Sequence, residues 1–206
     1  MATKIVAAIL AAGASSRFGS PKQLAKLGNK TLIDVTLDAL DSAGLEHICV
    51  VLGCNFETIN DHLRQRKGSS GTDFHILQNV EWSNGLSSSI QCAVKFAIAE
   101  DATHVLLLAC DQPFVDSSLV QKLLDSANAL SHKTDIIACK YENSAGIPAV
   151  FPAIFFDHLL KLEGDKGAKS IILTSSTPVL IDFPNGSRDI DFREDLNKLE
   201  TSAAKD

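Results

Sequence analysis

The residues best equipped for chemistry lie in three short segments. The first, Ala11-Ala12-Gly13-Ala14-Ser15-Ser16-Arg17-Phe18-Gly19-Ser20-Pro21-Lys22, sets two cations among mostly small residues. Small side chains let a backbone approach a ligand, and its N–H groups can cradle phosphate. Arg17 and Lys22 would add fixed positive charge to that cradle. The plain alternative is a tight strand-to-helix turn carrying two solvated basic residues. Neither GxxxxGK[ST] nor GxGxxG is present. The second segment, Cys110-Asp111-Gln112-Pro113-Phe114, follows the most apolar run of the chain. A carboxylate there needs a partner. Mg²⁺, which takes carboxylate and phosphate oxygens, is one choice; the N–H groups of a turn or helix start are the other. The third segment, Gly85-Leu86-Ser87-Ser88-Ser89, opens a helical pattern. Its small residues and helix N-terminus suit a phosphate, ribose or base, or else Ser87 or Ser88 simply caps the helix.

The elements that must position these segments alternate. Residues 5–10, 48–52 and 105–109 are continuous apolar runs, as strands buried on both faces would be, with shorter strands expected at 74–77 and 135–139. Thr31 can cap a helix carrying Leu32, Ile33, Leu37 and Leu40, which Gly44 ends. Further helices are expected over 56–66, over 87–99 and from Asp116 or Ser117 onward. Residues 67–72 (KGSSGT) read as a loop. This order implies crossover connections and a mostly parallel sheet covered on both faces. Ligands then sit beyond the carboxyl ends of the strands, so the residues after Leu10, Leu52 and Leu108 should converge on one site.

Composition narrows the function classes. The chain has 206 residues, 45% hydrophobic and 21% charged, which suits one large globular domain and not a disordered chain. Its 19 Lys+Arg against 25 Asp+Glu leave a net charge of −6, which counts against a nucleic-acid binder relying on a broad basic face. The apolar run 5–12 is far shorter than the ~20 residues of a membrane span. No signal-peptide pattern follows it, so the chain is expected to be cytoplasmic. The five cysteines form no CxxC pair and read as buried packing residues, Cys110 included. The six histidines show no ligand spacing, and no Ser-His-Asp or Cys-His arrangement is readable. Trp82 reads as a core or rim aromatic.

Six segments in order resemble the signatures of one family. Residues 10–22 are similar to LAAGxSxRFGxxK, 82–90 (WSNGLSSSI) to WxxGMSSSL, and 110–114 to CDQP. Residues 146–151 (GIPAVF) are similar to GxPxxF, 162–169 (LEGDKGAK) to LxGDxGAR, and 189–196 (DIDFREDL) to DIDTPEDL. The set resembles the MobA-like nucleotidyltransferases, nearest in pattern to the molybdenum cofactor cytidylyltransferases. Leu86, Ile147, Lys169 and Phe192-Arg193 depart from the pattern, replacing Met, His, Arg and Thr-Pro.

The resemblance implies a three-layer α/β sandwich with a mostly parallel, Rossmann-like sheet, occupying residues 1–199 and followed by a frayed tail at 200–206. It implies Mg²⁺-dependent transfer of a nucleotidyl group from an NTP, CTP being favoured, to a phosphorylated acceptor of molybdopterin type, with release of pyrophosphate. Arg17, Lys22 and Asp111 would be catalytic. Leu10, Ala11, Ala12, Gly13, Gly85, Ser87 and Ser88 would join Arg17 and Lys22 around the nucleotide. Gly146, Pro148 and Asp165 would meet the acceptor. Asp111 and Asp191 would hold the metal, with Asp189 and Asp195 as alternatives to Asp191. A molybdenum hydroxylase or its maturation factor is the partner implied; nucleic acid and membrane are not. GTP in place of CTP, a sugar or alditol phosphate acceptor, and a non-catalytic module that delivers cofactor remain the other readings.

Overall fold

The computed structural model describes residues 3–69, 73–129 and 135–203. Its centre is β1 (Ile5–Ala11), all seven residues of which are buried. Consecutive side chains of a strand point to opposite faces. Ile5, Ala7, Ile9 and Ala11 accordingly belong to one apolar cluster, and Val6, Ala8 and Leu10 to another. A strand buried on both sides needs a helical layer on each.

The first layer is α1 (Leu32–Ser42), α2 (Phe56–Ser69) and α4 (Ser117–Ala129). The second is α3 (Leu86–Ala99), α5 (Phe156–Leu160) and α6 (Lys169–Thr174). Between them lie β4 (Ile48–Leu52), β5 (His75–Gln78), β6 (His104–Ala109), β7 (Ile137–Tyr141), β8 (Ser144–Pro152) and β9 (Val179–Asp182). The seven-stranded sheet has the order β5-β4-β1-β6-β8-β7-β9. All neighbours pair in parallel except where β8 meets β6 and β7. The mostly parallel α/β sandwich expected from the sequence is thus the observed fold. A small ribbon, β2 (Lys26–Leu27) with β3 (Lys30–Thr31), precedes α1, and α7 (Arg193–Ala203) closes the described chain.

Burial dominates the energetics. A fully buried Leu, Ile or Val side chain contributes roughly 1.5–3 kcal/mol, and the central strands hold many such side chains. The Lys30–Asp38 pair at 2.5 Å is exposed on its lysine side and adds at most about 1 kcal/mol. Local signals at α1 match the reading from sequence. Thr31 and Asp34 form a reciprocal capping box. At the other end Gly44 adopts φ +73°, with Gly44 N–H donating to Asp41 C=O and Leu45 N–H to Leu40 C=O, the Schellman ending.

Three readings shift. Helix α2 continues through residue 69, so the loop expected from Lys67 is helical at its start, and residues 70–72 lie outside the described residues. Helix α7 runs to Ala203, past the point where fraying was expected; residues 204–206 also lie outside. Strand β8 was not anticipated, because Gly146 and Pro148 interrupt its pattern. The sheet absorbs them as an irregularity. Ala138 pairs with Ala149 and Cys139 with Gly146, leaving Ile147 and Pro148 unmatched on the β7 side. Among the described residues no helix is long and apolar enough to cross a membrane.

Replacing Thr31 with Ala removes the cap and is expected to cost about 1 kcal/mol. Urea unfolding should show a lower midpoint with an unchanged slope; an unchanged midpoint would contradict the capping role.

Candidate active site

The first loop leaves β1 at Ala11 and is held by one buried amide. Gln23, 1% exposed, donates from Nε2 to Ala11 C=O at 2.8 Å and Gly13 C=O at 3.1 Å. Ser15, at φ +54°, donates to Gln23 Oε1 and accepts from Lys22 N–H. A Cβ built on Gly13 would meet nothing within 4 Å. Nothing in the protein therefore crowds this position, and its small size leaves the neighbouring backbone accessible.

Lys22 is the electrostatic centre. Its ammonium lies 2.5 Å from Asp111 Oδ2, 3.2 Å from Ile190 C=O and 3.5 Å from Asp191 Oδ1. Burial works against its charge, but Asp111, with Cys110 and Asp191 adding to it, holds the ammonium above its ordinary range. Asp111 directly follows β6 and the buried Cys110, and its C=O accepts from Ile190 N–H. The segment before α7 thus meets the end of the sheet. Arg17 pairs with Asp191 at 3.0 Å and lies 5.6 Å from the centre of the Phe192 ring. Arg193 donates to Phe18 C=O and Ser20 Oγ. Burial and the nearby Asp111 push the Asp189 carboxyl up to about 6. Asp195 is committed elsewhere, accepting from Asp191 N–H and Phe192 N–H at the start of α7.

Asp111 and Asp191 both lie within reach of one Nζ, and both offer hard oxygen donors. Mg²⁺ is commonly held by one or two carboxylates with substrate phosphates completing its shell. The pair fits that requirement. Among the described residues no group of three His, Cys, Asp or Glu side chains could hold an ion by itself.

The start of α3 is packed by a second loop. Gly85 has φ +97°, and a Cβ there would fall 2.4 Å from the Gly164 carbonyl carbon and 2.7 Å from Asp165 Oδ1. Ser87 N–H donates to Gly164 C=O. Ser88 Oγ donates to Gly85 C=O and accepts from Asn79 Nδ2. These contacts give Ser88 a local structural role. Trp82 packs on Gly53, where a Cβ would come within 2.4 Å of Trp82 Cβ. Cys54 N–H donates to Ala12 C=O, so the segment after β4 supports the first loop.

These parts enclose a cavity of about 540 Å³ at the carboxyl end of the parallel strands. Leu10, Ala11, Ala12, Gly13 and Lys22 form one wall. Gly85, Asp111 and Asp165 also reach it. Arg17 and Asp191 stand outside the wall, and Ser87, Ser88, Gly146 and Pro148 do not line it either. Ser89, buried like Ser87 and Ser88, is the one of the three that lines it. The strand irregularity brings Ile147 to the wall between Gly146 and Pro148. Gln112, Tyr141 and Trp82 are wall residues given no ligand role on sequence grounds, and Asp189, weighed only as a metal alternative, is another. Tyr141 carried one signal, being the chain's single tyrosine five positions before the GIP segment.

The family profile described as MobA-like NTP transferase domain matches residues 7–179. The chain belongs to that family. Across 142 residues it is 29% identical to the bifunctional protein GlmU of Caulobacter vibrioides, covering 68% of this chain and 29% of that protein. Across 125 residues it is 28% identical to the 2-C-methyl-D-erythritol 4-phosphate cytidylyltransferase of Idiomarina loihiensis, covering 59% and 47%. The chain spans less than half the length of these two relatives. Similarity to Rv0371c of Mycobacterium tuberculosis H37Rv extends over the whole fold. Its crystal structure matches at TM-score 0.75 and 29% identity, covering 97% of this chain and 99% of that one. The structure of Rv0371c in complex with manganese matches at 0.71 and 28%, covering 97% and 100%.

This MobA-like domain buries one thiol, Cys110, at the cavity wall and another, Cys139, in its core. Burial, with Asp111 adding to it, pushes Cys110 up to about 12; burial pushes Cys139 up to about 12. The reference thiol value is 9.0. Between those values the folded chain binds more protons than the unfolded chain. The stability contribution is fully present below pH 9 and is lost as pH rises toward 12. Urea midpoints measured at about pH 8 and about pH 10.5 should therefore fall less in a Cys110→Ala/Cys139→Ala variant; equal falls would refute the role of the thiols.

Proposed function

We propose that this chain transfers a nucleotidyl group from an NTP, with CTP favoured, to the phosphate of an acceptor of molybdopterin type, releasing pyrophosphate. The observation that carries this reading is the Lys22 ammonium on the cavity wall, held charged among Asp111, Asp191 and the Ile190 carbonyl. Membership of the MobA-like family supports it. A phosphate oxygen of the acceptor bonds to the α-phosphorus, and the α–β bridging P–O bond breaks with its electron pair leaving on pyrophosphate. Such a reaction asks the protein mainly for positioning and charge stabilisation.

The chain's own residues meet those demands. Backbone N–H groups of the Ala11–Gly13 stretch face the phosphates, and Gln23 keeps that stretch in place. Lys22 opposes charge at the α-phosphate as the transition state forms. Arg17, at the rim, takes the β- and γ-phosphates, exchanging its contact with Asp191 for them. Gly85 and Ser89 border the nucleoside, while Asp165 and Ile147 border the acceptor. Asp111 and Asp191 would hold Mg²⁺, which when bound would supply further charge neutralisation for the phosphates. The manganese complex of Rv0371c supports a divalent ion in a related chain.

CTP is favoured over GTP by the first loop. Ala12, Phe18 and Ser20-Pro21 depart from the LAGGxxxRMGGxDK pattern that the guanylyl group resembles. The cytidylyltransferase among the relatives supports the same choice. The product would pass to a molybdenum hydroxylase or its maturation factor.

The test is pyrophosphate release with each of the four NTPs and Mg²⁺, with molybdopterin cofactor, an alditol phosphate or a hexose 1-phosphate as acceptor. CTP-selective, molybdopterin-dependent release is expected. Release with a sugar or alditol phosphate alone would overturn the acceptor, and binding without release would point to a delivery module. Lys22→Ala is expected to lower kcat by about a hundredfold, the loss of roughly 3 kcal/mol of charge stabilisation. Asp111→Asn should abolish the Mg²⁺-dependent rate.

A further inference from the structure

Tyr141 ends β7 at the side of the cavity remote from Trp82 and the start of α3 in sheet order. Two glycines make room for it. A Cβ on Gly146 would come 2.0 Å from its hydroxyl oxygen, and a Cβ on Gly186 would come 2.4 Å from its ring. Those distances are far below ordinary contact, so Gly146 is matched to this side chain and Gly186 to it and to Phe183, whose Cδ1 a Cβ there would meet at 2.6 Å. Neither needs glycine for its backbone angle, since neither has a positive φ.

The seat is itself tied to the chemistry. Gln112, next to Asp111, donates from Nε2 to Ile147 C=O at 3.3 Å and to Gly186 C=O at 3.2 Å. One buried amide thus fixes the wall on both sides of the ring. The hydroxyl of Tyr141 has no hydrogen-bond partner among the described residues, although the residue is partly buried and lines the cavity with Ile147 and Asp189. A side chain kept in place by two glycines, with its polar tip unmatched by protein, is built to meet something else. Lys22 is the only cation among the cavity-lining residues, alongside the acids Asp111, Asp165 and Asp189.

We infer that Tyr141 is a specificity-determining residue, hydrogen-bonding through its hydroxyl to the body of the acceptor beyond the phosphate that reacts. This rests on the nucleotidyl-transfer reading above and assigns the acceptor end of the same cavity. The ring packs against that body, with Ile147 beside it. Gly146, which the family pattern places in the acceptor segment, then acts through Tyr141 and does not touch the acceptor.

The experiment compares the wild-type chain with Tyr141→Phe and Tyr141→Leu. Each is assayed for pyrophosphate release with CTP and whichever of molybdopterin cofactor, an alditol phosphate or a hexose 1-phosphate the wild type uses. Tyr141→Phe should raise the acceptor KM about tenfold, the loss of one hydrogen bond. Tyr141→Leu should raise it further. The KM for CTP should stay within about twofold of wild type for both variants. A second readout needs no turnover: Trp82, the single tryptophan, lines the cavity. Its fluorescence titrated with CTP alone should give the same Kd in all three proteins, and titrated with the acceptor a weaker Kd in the variants. Unchanged acceptor KM and Kd in both variants would overturn the inference. So would an equal weakening of CTP and acceptor, the mark of a general structural role. If the wild type releases no pyrophosphate with any of the three acceptors, the proposed function falls and this inference falls with it.

Discussion

An ammonium group withdrawn from water is costly unless carboxylates or other acceptors replace its hydration. Lys22 obeys that constraint, and much of the architecture around the cavity follows from it. The lysine comes from the loop after β1, Asp111 from the end of β6, and Ile190 and Asp191 from the segment that enters α7. Three stretches far apart in the chain must be brought to one point. The parallel sheet does the first part, since β1 and β6 are neighbours in register and end together. A cluster of Phe18, Leu32, Ile190 and Leu196 does the second, packing the segment before α7 beneath the first loop. Local charge therefore differs from the overall net of −6: the cations are few, placed, and already in contact with acids.

Much of this was legible in the residues. Continuous apolar runs at β1, β4 and β6 identify strands buried on both faces, and the rule that ligands lie beyond their carboxyl ends leads to the cavity. Thr31 and Gly44 bound α1 by chemistry that needs no tertiary context. The first loop and Asp111 were readable because cations and carboxylates among apolar neighbours demand an explanation.

The side of the cavity formed by β7 and β8 was less legible, for a physical reason. Strand β8 is antiparallel between parallel neighbours, and Ile147 with Pro148 has no partner on β7. No periodicity survives such an interruption, so neither the strand nor the residue it turns toward the cavity could be read from spacing. Ser87 and Ser88 illustrate the reverse case. Their spacing suited a ligand, but a helix start also needs its own donors and acceptors satisfied, and Gly164, Gly85 and Asn79 occupy them. Gly146 is similar. Its identity is explained by the Tyr141 side chain packed against it, which only the folded chain reveals.

The contact between Lys22 and Asp191 spans 169 positions. Synthesis proceeds from the N-terminus, and domains gain structure in that direction. The sheet core can assemble while the lysine has only Asp111 for company; the second acid arrives with the last elements of the described chain. Pairings of such long separation are also the slowest to form. Assembly of the charged centre is accordingly a late event in the life of each molecule, and a chain halted before residue 189 would carry the loop, the strands and the helices on both faces without a finished site.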